Sequence, residues 1–253
     1  MTQSTEVATR ARWGLLDAAL GLAVAIVLAA TVTSIAVHVQ FVNQIGLVAL
    51  SYLATWIPLA GAVLVASQLH GTRSLLRDFG LRFRPIDLAW GIIVGLIVRL
   101  IALIVDLLIY GGNSVPLPDL SSGLGGSVGI IVVLAAVVVG PLVEETFFRG
   151  LLQRAVFRSA LEGRRPPSTR VAAGAAIAVT ATVFALIHLL GTASPPQALA
   201  TGIETLVLGI AAGVLAALTG RLGGAVIAHA VFNGTIILLS LTAPGAGSGL
   251  GLR

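Results

Sequence analysis

A pair of adjacent carboxylates, Glu144 and Glu145, ends an apolar run and is followed by Arg149. On a helix, Glu145 and Arg149 stand one turn apart on one face and can form an ion pair. Glu144 points about 100° away from Glu145 and is therefore placed for a separate task. Burial in a medium of low dielectric makes a carboxylate a stronger base, which suits general-base hydrolysis. The alternative is an interfacial charge pair that ends a membrane span.

Two later segments contain the other candidate catalytic side chains. His188 is the only ionisable residue in its apolar stretch and follows Phe184 by four positions. His229 and Asn233 are also four apart, so on a helix they share one face and can address one water, oxyanion or metal ion. The alternatives are a packed imidazole and hydrogen bonds between neighbouring helices. The occurrence of all three patterns in one chain favours a catalytic site.

The composition predicts that a lipid bilayer surrounds these residues. Of 253 residues, 57% are hydrophobic and 10% are charged, and the mean hydropathy is +1.04. Soluble domains average about 45–50% apolar and about 25% charged residues. Water cannot solvate such an excess of apolar side chains, whereas a bilayer can. The chain has no cysteine, which excludes disulfides and thiolate metal sites.

We expect an all-α, polytopic bundle of about seven transmembrane helices, within a range of six to eight. A span needs about 20 apolar residues. Seven stretches meet or approach this length, namely Trp13–Val37, Ile45–Gln68, Leu88–Tyr110, Val128–Val143, Val171–Leu190, Ala198–Thr219 and Leu222–Leu241. The first is interpreted as an uncleaved anchor, since six more spans follow it. Residues 1–253 are therefore predicted to form a single membrane-embedded domain.

The positions of the arginines predict the orientation. Arginines precede span one and fill the loops after spans two, four and six, whereas the other loops contain none. The positive-inside rule then places the amino terminus in the cytoplasm and the carboxyl terminus outside. The net charge of +5 does not indicate a nucleic-acid partner, because no basic stripe is interleaved with aromatic residues. The composition suggests a multi-pass protein of a bacterial cytoplasmic (inner) membrane.

The three patterns, in this order, resemble the motifs of the CAAX-protease and bacteriocin-processing family. This family, also called CPBP or Abi, includes the type II CAAX prenyl proteases, and the resemblance covers a catalytic core over residues 88–241. It implies a glutamate-dependent intramembrane endopeptidase in which Glu144 is the general base and His188 helps to activate the water. The same resemblance makes His229 and Asn233 the oxyanion-stabilising pair. It implies supporting roles for Glu145, Arg149 and Phe184.

Other chemistries for the same residues stay open at this point. Zinc could be held by His188, His229 and one glutamate. We favour a mechanism that requires no cofactor, because asparagine is an uncommon zinc ligand and the chain lacks a His-Glu-x-x-His helix. A non-catalytic bacteriocin immunity or scaffold protein is the alternative function within the family. A transporter would be expected to show inverted repeats, and none is apparent.

The expected partners are membrane lipid and a membrane-associated peptide or protein substrate. Helix counting, however, gives the catalytic residues different depths. Glu144 lies near the cytoplasmic end of span four, and His188 lies near the far end of the antiparallel span five, so a straight hairpin would separate them. We therefore expect a broken or tilted span, with residues 150–161 embedded in the membrane or along its interface. Arg99 and Asp106 are expected to pair with other helices or to reach the ends of their span, and Glu204 is expected to cap a helix or to pair within the bundle.

Overall fold

Every regular element in the described part of the chain is a helix. The structure is a computed structural model that describes residues 13–38, 44–111 and 133–242. Its helices are α1 (Leu15–His38), α2 (Gln44–His70), α3 (Leu75–Asp78), α4 (Pro85–Tyr110), α5 (Gly140–Glu145), α6 (Gln153–Leu161), α7 (Thr169–His188), α8 (Pro195–Thr219) and α9 (Gly223–Thr242). The all-α prediction is confirmed.

Six of these helices are long and apolar enough to cross a membrane. The candidate spans are Leu15–Ile35, Ala49–His70, Pro85–Tyr110, Thr169–Gly191, Pro195–Thr219 and Gly223–Ser240. They correspond to six of the seven predicted stretches. The remaining one, Val128–Val143, begins outside the described residues, and its described part is helical. The prediction of a polytopic helical membrane protein is confirmed, and the identity of the membrane stays a prediction.

The surfaces of the long helices are strongly apolar. Leu16, Leu108 and Leu218, on three different helices, are 72%, 77% and 81% exposed. Large contiguous apolar surfaces are rare on proteins that face water and are typical of sites that meet lipid or a partner. Hydrocarbon tails solvate such side chains, which explains why the helices are hydrophobic around most of their circumference.

The helix that carries the paired glutamates is irregular. Two π-helical turns, Ala135–Val139 and Thr146–Leu152, flank α5, and the chain continues directly into α6. All residues of the second turn are buried, as is Ala155 in α6. Two π-turns therefore interrupt the α-helical geometry on either side of α5. The placement of residues 150–161 within the membrane or along its interface stays a prediction.

The described residues form two compact units that alternate along the sequence. One contains the residues up to Arg82 together with Val143–Thr180 and Thr219–Leu222. The other contains the described residues from Phe83 to Leu142, then Ala181–Leu218 and those from Gly223 onward. The single domain over residues 1–253 and the core over residues 88–241 stay predictions.

In the first unit, α1 and α2 are held together by close packing at Gly21 and by a polar contact between His70 and Asp17. A Cβ atom at Gly21 would overlap the Cβ of Ala62 and would lie 3.2 Å from Cε2 of Phe147. At the ends of the two helices, His70 Nδ1 lies 2.7 Å from Asp17 Oδ1. The glycine therefore lets two spans approach each other and the aromatic segment that follows Glu145.

Candidate active site

The ion pair predicted from the sequence lies where α5 passes into the second π-turn. Arg149 Nη1 donates to Glu145 Oε1 at 2.9 Å, and both side chains are fully buried. The charge of the Arg149 guanidinium interacts with the carboxylates of both Glu145 and Glu144. An arginine remains charged in proteins, so the pair is a charged structural contact. Glu145 is therefore engaged with its own helix.

Glu144, the other carboxylate, is contacted from a different helix. The indole Nε1–H of Trp56, in α2, donates to Glu144 Oε1 at 3.3 Å. The Trp56 ring is stacked on Tyr52, with centroids 4.5 Å apart and planes 9° from parallel. Glu144 is half-buried, in contrast to its fully buried neighbour. Arg149 therefore forms the ion pair with Glu145, and Trp56 donates a hydrogen bond to Glu144 from another helix.

In the second unit, Phe184 lies against both histidines of the later motifs. Its side chain is fully buried, and its ring centroid is 4.3 Å from that of His188 and 5.8 Å from that of His229. His188 Nδ1 lies 2.8 Å from the backbone carbonyl oxygen of Phe184. A carbonyl can only accept, so this nitrogen must carry the proton. A neutral His188 then has Nε2 as its proton-accepting nitrogen.

Asn233 is oriented by the start of the irregular helix. Its Nδ2 donates to the carbonyl oxygen of Ala136, in the first π-turn, at 2.9 Å. Because that oxygen can only accept, the contact determines which end of the amide faces it. An amide nitrogen carries two hydrogens, so one N–H remains for a second acceptor. His229, one turn earlier on α9, is buried with 3% exposure.

Two glycines of α4 allow it to pack closely against α9, the helix with the His-x-x-x-Asn motif. A Cβ atom at Gly91 would lie 2.5 Å from the Cβ of Ile227, and one at Gly95 would lie 2.6 Å from the carbonyl oxygen of Ala228. A larger residue at either position would collide with α9. This Gly-x-x-x-Gly pattern is typical of close helix contacts in membranes. It was not recognised in the sequence, although its spacing is visible there.

Arg99, also on α4, supports the same helix. Its Nε and Nη2 donate to the carbonyl oxygen of Phe232 at 3.2 and 2.7 Å, and its guanidinium carbon lies 3.7 Å from the centroid of the Phe232 ring. Asp106, on α4, and Glu204, on α8, both interact electrostatically with Arg99 and with each other. Each of the three charged residues thus interacts with another helix, which is one of the alternatives expected from the sequence.

The predicted site residues occur as two groups, one in each unit. The first consists of Glu144, Glu145 and Arg149, and the second of Phe184, His188, His229 and Asn233. Within either unit, the described residues include no group of three or more histidine and acidic side chains placed to hold a metal ion. The convergence of the two groups stays a prediction, as does the absence of a cofactor. The contact between Trp56 and Glu144 was not predicted from the sequence.

A comparison with known protein families gives a match over the residues that contain the three motifs. Residues 126–235 match a family model described as type II CAAX prenyl endopeptidase Rce1-like. No curated protein matches the chain, and no solved structure matches it. The matched region contains all three motifs, from Glu144 to Asn233, which confirms the resemblance predicted from them.

Proposed function

We propose, on the premise that residues 126–235 match the Rce1-like type II CAAX prenyl endopeptidases, that this protein is a glutamate-dependent intramembrane endopeptidase. Its substrate is a peptide bond in a membrane-associated peptide or protein. The observation that carries the proposal is that two adjacent glutamates differ in burial and in the side chain that donates a hydrogen bond to them. Glu145 is held in a buried ion pair with Arg149, whereas Glu144 is half-buried and contacted by an indole N–H.

In the proposed reaction, Glu144 removes a proton from water as the water oxygen attacks the scissile carbonyl carbon. His188 accepts a hydrogen bond from this water through Nε2, because its Nδ1–H is held by Phe184. The carbon–nitrogen bond then breaks, and Glu144 returns the proton to the leaving amine. A group that acts as base and then as acid in this way is common in amide hydrolysis.

The developing oxyanion needs donors, which His229 and the second amide N–H of Asn233 supply in this proposal. Loss of one such donor typically costs about 2.7–4 kcal/mol in the transition state. The mechanism requires Glu144, His188, His229 and Asn233 to converge, with functional atoms about 4–8 Å apart before substrate binds, since catalytic contacts tighten on binding. A separation above about 12 Å in an experimental structure would contradict the mechanism.

Substrate profiling tests the activity itself. The purified protein in detergent micelles is incubated with a library of membrane-associated peptides, both farnesylated CAAX peptides and unprenylated ones. Glu144→Ala is the matched control. We expect cleavage products with the wild type that are absent with the variant. Identical product patterns for both proteins would rule out a protease that depends on Glu144.

A further inference from the structure

We propose that Trp56 is a positioning residue for Glu144, an inference that rests on the proposed function. The indole N–H of Trp56 holds one carboxylate oxygen of the general base and so sets the direction of the other. Trp56 lies on α2, outside the three motifs and 88 positions from Glu144 along the chain. It also lies outside the region that matches the family model.

The contact has an unambiguous donor. Indole offers one N–H and no acceptor, so the 3.3 Å contact can only be a hydrogen bond from Trp56 to Glu144 Oε1. A hydrogen bond to a charged acceptor is roughly twice as strong as one between neutral groups. The terminal torsion of a glutamate is broad and poorly restrained by itself. A hydrogen bond from Trp56 to one oxygen therefore restricts the rotation of the Glu144 carboxylate.

The indole is itself held in place. Tyr52, one turn earlier on α2, is stacked almost parallel on it. On the same helix Leu59 and Val63 are 2% and 3% exposed, so α2 is anchored by packing just beyond Trp56. The last residue of α2, His70, is paired with Asp17. A donor on a packed, anchored helix keeps its position better than a donor on a loop.

A structural reading of Trp56 is also available, and it makes different predictions. Tryptophan is enriched at membrane interfaces, where the ring meets lipid and the N–H meets water. An interfacial anchor would affect insertion and stability. A positioning residue affects the chemical step: its loss lowers kcat, with little change in KM, because the substrate itself does not touch it.

Two measurements separate these readings. The chain has three tryptophans, so an NMR spectrum of the ¹⁵N-labelled protein in micelles contains three indole N–H signals. We expect Glu144→Ala to move the Trp56 signal upfield and to leave those of Trp13 and Trp90 in place. The Trp13→Phe and Trp90→Phe variants assign the other two signals, so this measurement does not depend on the folding of a Trp56 variant.

The kinetic measurement uses Trp56→Phe, which keeps an aromatic ring and removes the N–H. For the peptide cleaved fastest in the profile, we expect kcat about 10-fold lower and KM within about twofold of wild type. Trp90→Phe is the matched control, because it makes the same change at an indole that is 51% exposed on α4. It should keep the kcat of wild type.

The outcomes distinguish this inference from the proposed function. If Glu144→Ala cleaves like the wild type, the proposed function fails and the positioning role fails with it. If Glu144→Ala is inactive but the Trp56 signal does not move, only the positioning role is overturned. The same holds if Trp56→Phe matches the kcat of wild type, or if its loss of activity disappears when rates are normalised to folded protein.

Discussion

Glu144 and Glu145 are neighbours with the same side chain, and their surroundings give them different tasks. Glu145 forms a buried ion pair with Arg149 of the same helix, whereas Glu144 accepts a hydrogen bond from Trp56 of another helix. The ion pair was predictable because it depends only on a local spacing of four residues. The contact with Trp56 was not, because its partners are far apart in sequence and a lone indole in an apolar span forms no pattern.

Replacement of each glutamate by glutamine tests this division. Glutamine keeps the shape and can hydrogen-bond, but it cannot accept a proton at neutral pH. We expect Glu144→Gln to lower kcat by about 10²–10⁴-fold, the usual contribution of general-base catalysis. Glu145→Gln should affect the chemical step less. The assay compares both variants after their folded fractions are matched; near-wild-type activity of Glu144→Gln beside an inactive Glu145→Gln would reverse the assignment.

Removal of Arg149 should be mainly a stability defect. Arg149→Ala leaves the carboxylate of Glu145 buried without its cation, and breaking a buried pair in this way costs about 3–5 kcal/mol. We expect a lower melting temperature in detergent and a lower yield of folded protein. The double variant Arg149→Ala with Glu145→Ala should recover part of the loss, since no buried charge remains. Unchanged melting together with lost activity would instead give Arg149 a role in the chemistry.

At the scale of helices, the approach of α4 to α9 determines where the last motif lies. The long spans could be predicted from hydropathy because each must bury about 20 apolar residues in lipid. The π-turns around α5 could not, since such turns are rare and the hydrophobic pattern of a span does not distinguish them from an α-helix. The expectation that Glu144 and His188 reach a common depth in the membrane stays a prediction.

The glycine contact can be tested with two matched substitutions. Gly95→Ala places a Cβ atom 2.6 Å from the carbonyl oxygen of Ala228, so α4 and α9 must move apart. We expect a lower melting temperature and weaker activity. Gly61→Ala, within α2, meets no atom within 4 Å and should be neutral or stabilising, because alanine is the better helix former by about 1 kcal/mol. Equal melting temperatures for the two variants would show that Gly95 is not needed for the packing of α4 against α9.

At the scale of the whole molecule, composition predicted the class correctly, whereas orientation rests on the arginines alone. The six described spans account for most of the apolar stretches. Residues 112–132 lie outside the described part, so the beginning of the fourth predicted span is known from hydropathy only. The assignment of cytoplasmic and external loops therefore depends on the positive-inside rule, which needs its own test.

The absence of cysteine makes that test direct. Ser168 lies in the arginine-rich connection before α7, and Ser194 lies in the connection before α8; both are exposed. We expect a single cysteine at Ser194 to react with a membrane-impermeant maleimide in intact cells. A cysteine at Ser168 should react only after the membrane is opened. The opposite labelling pattern would invert the topology.

The interaction of Arg99 with Asp106 and Glu204 has a consequence for the behaviour of the protein in an energised membrane. The three charges lie on two candidate spans, α4 and α8. A displaced elementary charge couples to the membrane potential by about 2.3 kcal/mol per 100 mV. Because charges of opposite sign that move together oppose each other in this coupling, a motion of the three residues as one group should respond less to the potential than a motion of Arg99 alone.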